Sequence, residues 1–296
     1  AIYFAGSSTS CTFNNTRFIN SSSNEGGAIC CEYAGKFNVD NSTFENISST
    51  RGAIYFVKAV TNEIIFNNDN FTDNYASLDG ASIYFATAGS NKVTVNNSNF
   101  INQKSFRNGG AINFNGVTSS KIINSNFTDC SSANGAAVYI NGKDISVVNS
   151  AFLRNSAEDD GGAIYSKTID NLKNVYIINA LASTSEGDVH GGAILWNGLN
   201  GVVDNSVFEK NNAKYGGALY WNASEGTIRN TFFDLNNADN GGAVMISDVS
   251  DVKVLNATFN NNNHNAIYVV SANNVLVNDT KFISNNDVAV KIIGSE

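Results

Sequence analysis

The sequence of 296 residues predicts an all-β fold, a single parallel β-helix of about 11–12 coils, each of 23–30 residues and three short strands. Three recurring columns predict it. An aliphatic residue, preceded by Ala in every pass except at Ser82, recurs at Ile2, Ile29, Ile54, Ile83, Ile112, Val138, Ile164, Ile194, Leu219, Val244, Ile267 and Val290. An Asn column runs Asn15, Asn41, Asn68, Asn97, Asn124, Asn149, Asn179, Asn205, Asn230 and Asn256, with Asp279 closing it. Three residues after each of these stands a Phe, from Phe18 to Phe282, with Ala182 filling the slot where Phe is missing. A fixed period of this length marks a solenoid, in which one unit stacks on copies of itself.

Each coil reads in order. A Gly pair, as at 161 and 162 or 216 and 217, gives the turn before the first strand a permissive backbone. The first strand then carries the aliphatic column inward, together with the residue two further on (Phe56, Phe85, Phe114, Trp196, Trp221). Alternation places Tyr55, Tyr84, Tyr139, Tyr165 and Tyr220 on the outer face as a possible contact surface, with the Ala column beside them. A small residue kept on an exposed face implies that something lies close over it. The second strand is apolar five residues before each Phe slot, as at Val95, Val147 and Val254, and the third passes through the Phe column itself. Asn tolerates the left-handed backbone of a sharp corner, and stacked amides can form a hydrogen-bonded ladder. On this reading ladder residues such as Asn41 and Asn256 point inward. Coils stacked at about 4.8 Å make a rod on the order of 50 to 55 Å long.

Composition narrows the function classes. A net charge of −8 without a run of Lys or Arg argues against nucleic acid or anionic lipid as partner, and no apolar run reaches the ~18 residues of a membrane span. The repeat fills residues 1–296 without a change of composition, so one domain is expected, tapering near 256–296, where coils shorten and lose the Gly pair. Residues 1–4 already read as a strand in progress, which predicts a piece of a longer surface protein. The four Cys are not spaced as a disulfide framework, although a vicinal bridge between Cys30 and Cys31 stays open at this stage.

The pairing of GGA plus Ile, Leu or Val with FxxN, as at Phe71 to Asn74, Phe152 to Asn155, Phe208 to Asn211, Phe233 to Asn236, Phe259 to Asn262 and Phe282 to Asn285, resembles the repeat of chlamydial polymorphic outer-membrane proteins. The Asn-rich dialect is similar to adhesin-like surface proteins of methanogenic archaea. The resemblance covers essentially the whole chain and implies a secreted, surface-displayed right-handed β-helix used in adhesion. It supplies no catalytic residues.

Candidate sites are few. Asp159, Asp160, Glu186 and Asp188 gather near Gly pairs as weak candidates for a cation, with a solvated turn as the plainer reading. Ten N-x-[ST] sequons begin at Asn14, Asn20, Asn41, Asn46, Asn70, Asn96, Asn126, Asn222, Asn256 and Asn278, a number that this composition gives by chance. Of these, Asn14, Asn20, Asn46, Asn70, Asn96, Asn126, Asn222 and Asn278 are expected to face outward for glycosylation. Lengthened loops are expected at 57–63, 86–91 and 167–174. The sequence reading is a non-catalytic, extracellular cell-surface adhesin or stalk that needs no cofactor. Its expected partners are a glycan or protein of another cell, or another copy of itself. The alternative is a carbohydrate-active β-helix, such as a polysaccharide lyase, a hydrolase or a viral tail fibre.

Overall fold

A computed structural model describes residues 2–5, 10–33, 35–58, 63–86, 92–167, 169–173, 176–178, 180–182 and 188–294. Among them every regular element is a strand. The strands form parallel sheets of twelve, eleven, eleven and seven members, in each of which neighbours lie one coil apart in the sequence. Ile54–Phe56, for instance, pairs with Ile29–Cys31 below and Ile83–Phe85 above. The chain therefore climbs one strand spacing per turn as a right-handed β-solenoid. A fourth short strand, such as Ser131–Ser132, joins the three expected ones in seven coils, just ahead of the Gly pair.

The interior is built by repetition. Phe44, Phe71, Phe100, Phe127 and Phe152 are fully buried, and successive rings stack at 4.6–4.8 Å with planes within 8°. That separation is the strand spacing itself, so one ring per coil stacks without bending the backbone. Trp196 and Trp221 stack at 4.7 Å in the neighbouring column, each indole N–H donating to a carbonyl two residues on.

Polar columns serve the corners. The residue after each corner Asn is a buried hydroxyl in most coils, as at Ser42, Ser98, Ser125 and Ser150. Each hydroxyl donates to the carbonyl two residues back and, between coils, accepts a backbone N–H: Ser98 Oγ donates to Asn96 O at 2.9 Å, and Ser125 Oγ accepts from Ser98 N at 3.2 Å. The N[ST] pattern thus answers to the scaffold. A second column, the Asn of FxxN, is interior from Asn74 to Asn262 and half-buried at Asn285 in the last coil. Asn236 Nδ2 donates to Phe208 O at 2.9 Å, while its Oδ1 accepts from Asn211 N at 3.1 Å. Asn74, Asn155, Asn211 and Asn262 do the same work in their coils.

Three expectations are corrected. The Asn column that includes Asn41 and Asn256 is exposed; it holds left-handed corners, with φ between 46° and 57° from Asn15 to Asn256 wherever it is described. Its amides link partly as a surface ladder, Asn97 to Asn68 at 2.6 Å and Asn256 to Asn230 at 2.9 Å, while Asn230 and Asn68 turn to Asp204 and Asp40. The Ala column is interior, with Ala28, Ala53, Ala111, Ala137, Ala163, Ala193, Ala218, Ala243 and Ala266 at 0% exposure. The chain is still turning at Ala, so strand alternation does not extend back to it; the carbonyl of Ala53 accepts from both Ala28 N and Ile29 N. Finally, Phe152 pairs with Ile177 and Ile177 with Phe208, so Ile177 fills the Phe slot, and Ala182 pairs with Ala157 in the fourth sheet. The expected corner residue of that coil, Asn179, lies outside the described residues.

Candidate functional site

Two outward columns meet at the corner beside the Gly pair and form a groove along the rod. Its floor is the column Cys30, Tyr55, Tyr84, Asn113, Tyr139, Tyr165, Leu195, Tyr220 and Met245, set by the register of the first sheet. Its wall is the residue before each Gly pair or its equivalent, Glu25, Arg51 and Asp79 in one run and His190, Tyr215 and Asn240 in another. The left-handed glycines make the bend tight. A Cβ on Gly135 would sit 3.0 Å from Tyr165 Cβ and 2.8 Å from its backbone N. Outward-pointing side chains are consequently sheltered, Tyr55 and Leu195 to 5% exposure, whereas Tyr84, Tyr139, Tyr165 and Tyr220 are half-buried. Tyr55 and Tyr84 stack at 5.5 Å, Tyr139 and Tyr165 at 5.1 Å. Burial pushes the hydroxyls of Tyr55, Tyr84, Tyr165 and Tyr220 up, so all four stay neutral. At the end nearest Tyr3 the groove holds a cavity of about 750 Å³ bounded by Tyr3, Glu25, Cys30 and Thr50.

The charges of the wall pair across coils. Arg51 approaches Glu25 at 3.7 Å and lies over the Tyr84 ring at 5.7 Å. Arg107 meets Asp79 at 3.2 Å, and Lys214 meets Asp188. Asp160 accepts both the backbone N–H of His190 at 2.8 Å and, at 2.9 Å, its ring Nδ1. His190 in turn packs on the rings of Tyr215 and Tyr220 at 5.3 and 4.5 Å.

The weak cation candidates do not converge. Asp160 is committed to His190 and Asp188 to Lys214, Asp159 is exposed, and Glu186 lies outside the described residues. No group of three His, Cys, Asp or Glu among the described residues could hold a metal. Most of loops 57–63 and 86–91 lie outside the described residues. The third expected loop is corrected: Ile169–Lys173 sits in strand register with Ile145–Val148, so most of 167–174 is strand rather than loop.

None of the ten sequon Asn is buried: Asn70 and Asn96 are half-buried and the other eight, Asn41 and Asn256 among them, are exposed. Several amides are engaged, as Asn46 is to Asn20 at 2.7 Å and Asn126 to Asn99 at 3.0 Å. Among the described residues the amides of Asn14 and Asn222 have no partner. All four Cys are buried free thiols, with Cys31 and Cys130 pushed up to about 12 by burial.

One polar corner pocket of about 510 Å³, lined by Asn200, Glu225, Thr227, Asp251, Lys253 and Asn274, escaped the sequence reading. Its corner residues Asn200, Glu225, Asp251 and Asn274 all have positive φ, one per coil. The signal was weak because Glu225 and Asp251 share no motif. The buried FxxN ladder, by contrast, was visible as a recurrence.

A family model described as a right-handed β-helix region matches residues 169–296. Another, for the Chlamydia polymorphic membrane protein repeat, matches residues 149–167, which hold Phe152, Asn155 and the segment Gly161 to Ile164. The chain carries a Pmp-like β-helix repeat. No curated protein matches the sequence. Among solved structures the chain is similar to PfbA, a Streptococcus pneumoniae surface protein and adhesin, with a TM-score of 0.53 at 10% identity over 96% of this chain and 91% of that one. The likeness is one of fold. It is also similar to a Yersinia enterocolitica family 28 exopolygalacturonase, with a TM-score of 0.43 at 12% identity over 90% of this chain and 46% of that one.

Proposed function

We propose that the protein is a non-catalytic, adhesin-like rod of the cell surface that holds a partner along the Tyr-floored groove. The carrying observation is that the groove's carboxylates at Glu25, Asp79, Asp160 and Asp188 each face a basic side chain of the next coil. General acid–base work needs a carboxyl group free to exchange its proton with a substrate, and these are tied up. The Pmp-like repeat and the shared fold with a streptococcal surface adhesin support display outside the cell, and the Asn-rich dialect supports an archaeal source. Sugars attached at Asn14 and Asn222 would disturb no hydrogen bond of the scaffold. The test is retention of intact cells and immobilised glycans on the purified protein, combined with an assay for new reducing ends. Retention without release is expected; release in proportion to protein would overturn the non-catalytic reading.

A second reading, a carbohydrate-active enzyme, is favoured by Glu225 and Asp251. These carboxylates occupy one corner column on adjacent coils, and neither forms an ion pair among the described residues. Asp251→Asn separates the two readings, because it abolishes reducing-end release if the pocket is catalytic and leaves cell retention unchanged if it is not.

A further inference from the structure

We infer that the groove binds a neutral polysaccharide lying along the rod axis. The inference rests on the adhesin reading and names its ligand class. Four features converge. The floor offers half-buried rings of Tyr84, Tyr139, Tyr165 and Tyr220, the combination of flat apolar surface and polar rim on which the C–H faces of a sugar settle. The wall is neutralised internally by the pairs Glu25 with Arg51, Asp79 with Arg107 and Asp188 with Lys214. A polycation therefore finds no unpaired row of carboxylates there, and a polyanion meets a rod of net charge −8.

The third feature excludes a peptide strand. In the groove every floor strand is hydrogen-bonded to the coil above and the coil below, so there is no free sheet edge to which an added strand could pair. The fourth is a break in the row of rings. Asn113 replaces Tyr between Tyr84 and Tyr139, and it is 4% exposed, its Oδ1 shielded from solvent. The stacking platforms therefore come in separated sets, Tyr84 on one side and Tyr139 with Tyr165 on the other, a spacing that a flexible sugar chain spans. From Tyr55 to Tyr220 the floor crosses seven coils, a length on the order of 30 Å, which selects a polymer over a single sugar.

The experiment measures binding of neutral glucans and mannans of graded length, a polyuronate and a basic polypeptide to the whole protein and to two variants. Tyr139→Ala/Tyr165→Ala removes two of the four half-buried rings of the floor. Asn134, the half-buried wall residue before Gly135 that bridges to Asn108, is changed in the second variant, Asn134→Arg, to lay a long side chain across the groove. The expected result is that affinity for a neutral polysaccharide rises with chain length up to about 30 Å and falls at least tenfold in both variants, the second retaining the wild-type melting temperature. Undiminished binding in Asn134→Arg, or a polyuronate or polypeptide as the tightest ligand, overturns the inference. Loss of glycan binding alone does not overturn the adhesin reading: a protein that retains cells but no glycan sinks only the groove proposal, while one that retains neither sinks both.

Discussion

Asp69 occupies a slot that hydroxyls hold in the coils around it, Ser42 below and Ser98 above, and it is 1% exposed. Its carboxyl accepts from Ser42 N at 2.8 Å and Asn67 N at 3.0 Å, yet desolvation dominates and raises its pKa from 3.8 to about 7. The folded state therefore holds this proton up to about pH 7, while the unfolded chain releases it near 4. Stability falls across that window and is flat above it, a loss of up to ~4 kcal/mol. Asp69→Ser restores the hydroxyl pattern, so its melting temperature should match wild type near pH 4 and exceed it at pH 8. Equal melting temperatures at both values would contradict the account. Asn236→Ala tests the interior ladder, since it strips Asn211 N and Phe208 O of their partner; denaturant titration should show a loss of about 2–4 kcal/mol. Asn256→Ala, on the exposed corner, should cost about 1 kcal/mol through backbone strain. Both Asn columns were legible in the sequence. Which one is buried was not, because an Asn at a left-handed corner and an Asn that caps carbonyls recur with the same period.

At the level of the coil, the first three strands were legible because each carries its own inward column at period 2. The register failed where Asn is so abundant that a false match arises: Asn179 and Ala182 keep the spacing of the repeat, but Ile177 is the residue that pairs with Phe152 and Phe208. Ile177 is fully buried in that slot, so the solenoid continues through the coil without a ring. The Ala column was misplaced for a related reason, since alternation was extended into a turn. Ala81 and Ala136 fill the second position of the pair in their own coils, but at the stacked Gly-Gly turns from 191 to 242 there is no room for a side chain. A Cβ on Gly192 would lie 2.0 Å from Gly217 O, so Gly192→Ala should destabilise the protein by several kcal/mol in a denaturant titration, while a Gly294→Ala change meets no neighbour.

The whole molecule is a stack in which each coil touches its neighbours, so scaffold residues repeat and function gathers where repetition stops. The breaks include Asn113 and Leu195 in the Tyr floor and His190 in the wall. Because the wall is internally neutral, binding in the groove should change little between low and high salt, unlike an interface built on the chain's net charge of −8. The groove was half legible in advance, as a row of Tyr, but its concavity comes from left-handed glycines and its neutrality from pairs that form only when coils stack. Hydroxyl-radical footprinting of the protein bound to a neutral polysaccharide tests the central claim most directly. Protection of Tyr84, Tyr139, Tyr165 and Tyr220 with no change at the exposed Phe106 and Phe232 is the predicted result, and protection at Phe106 or Phe232 with the four tyrosines unchanged would contradict it.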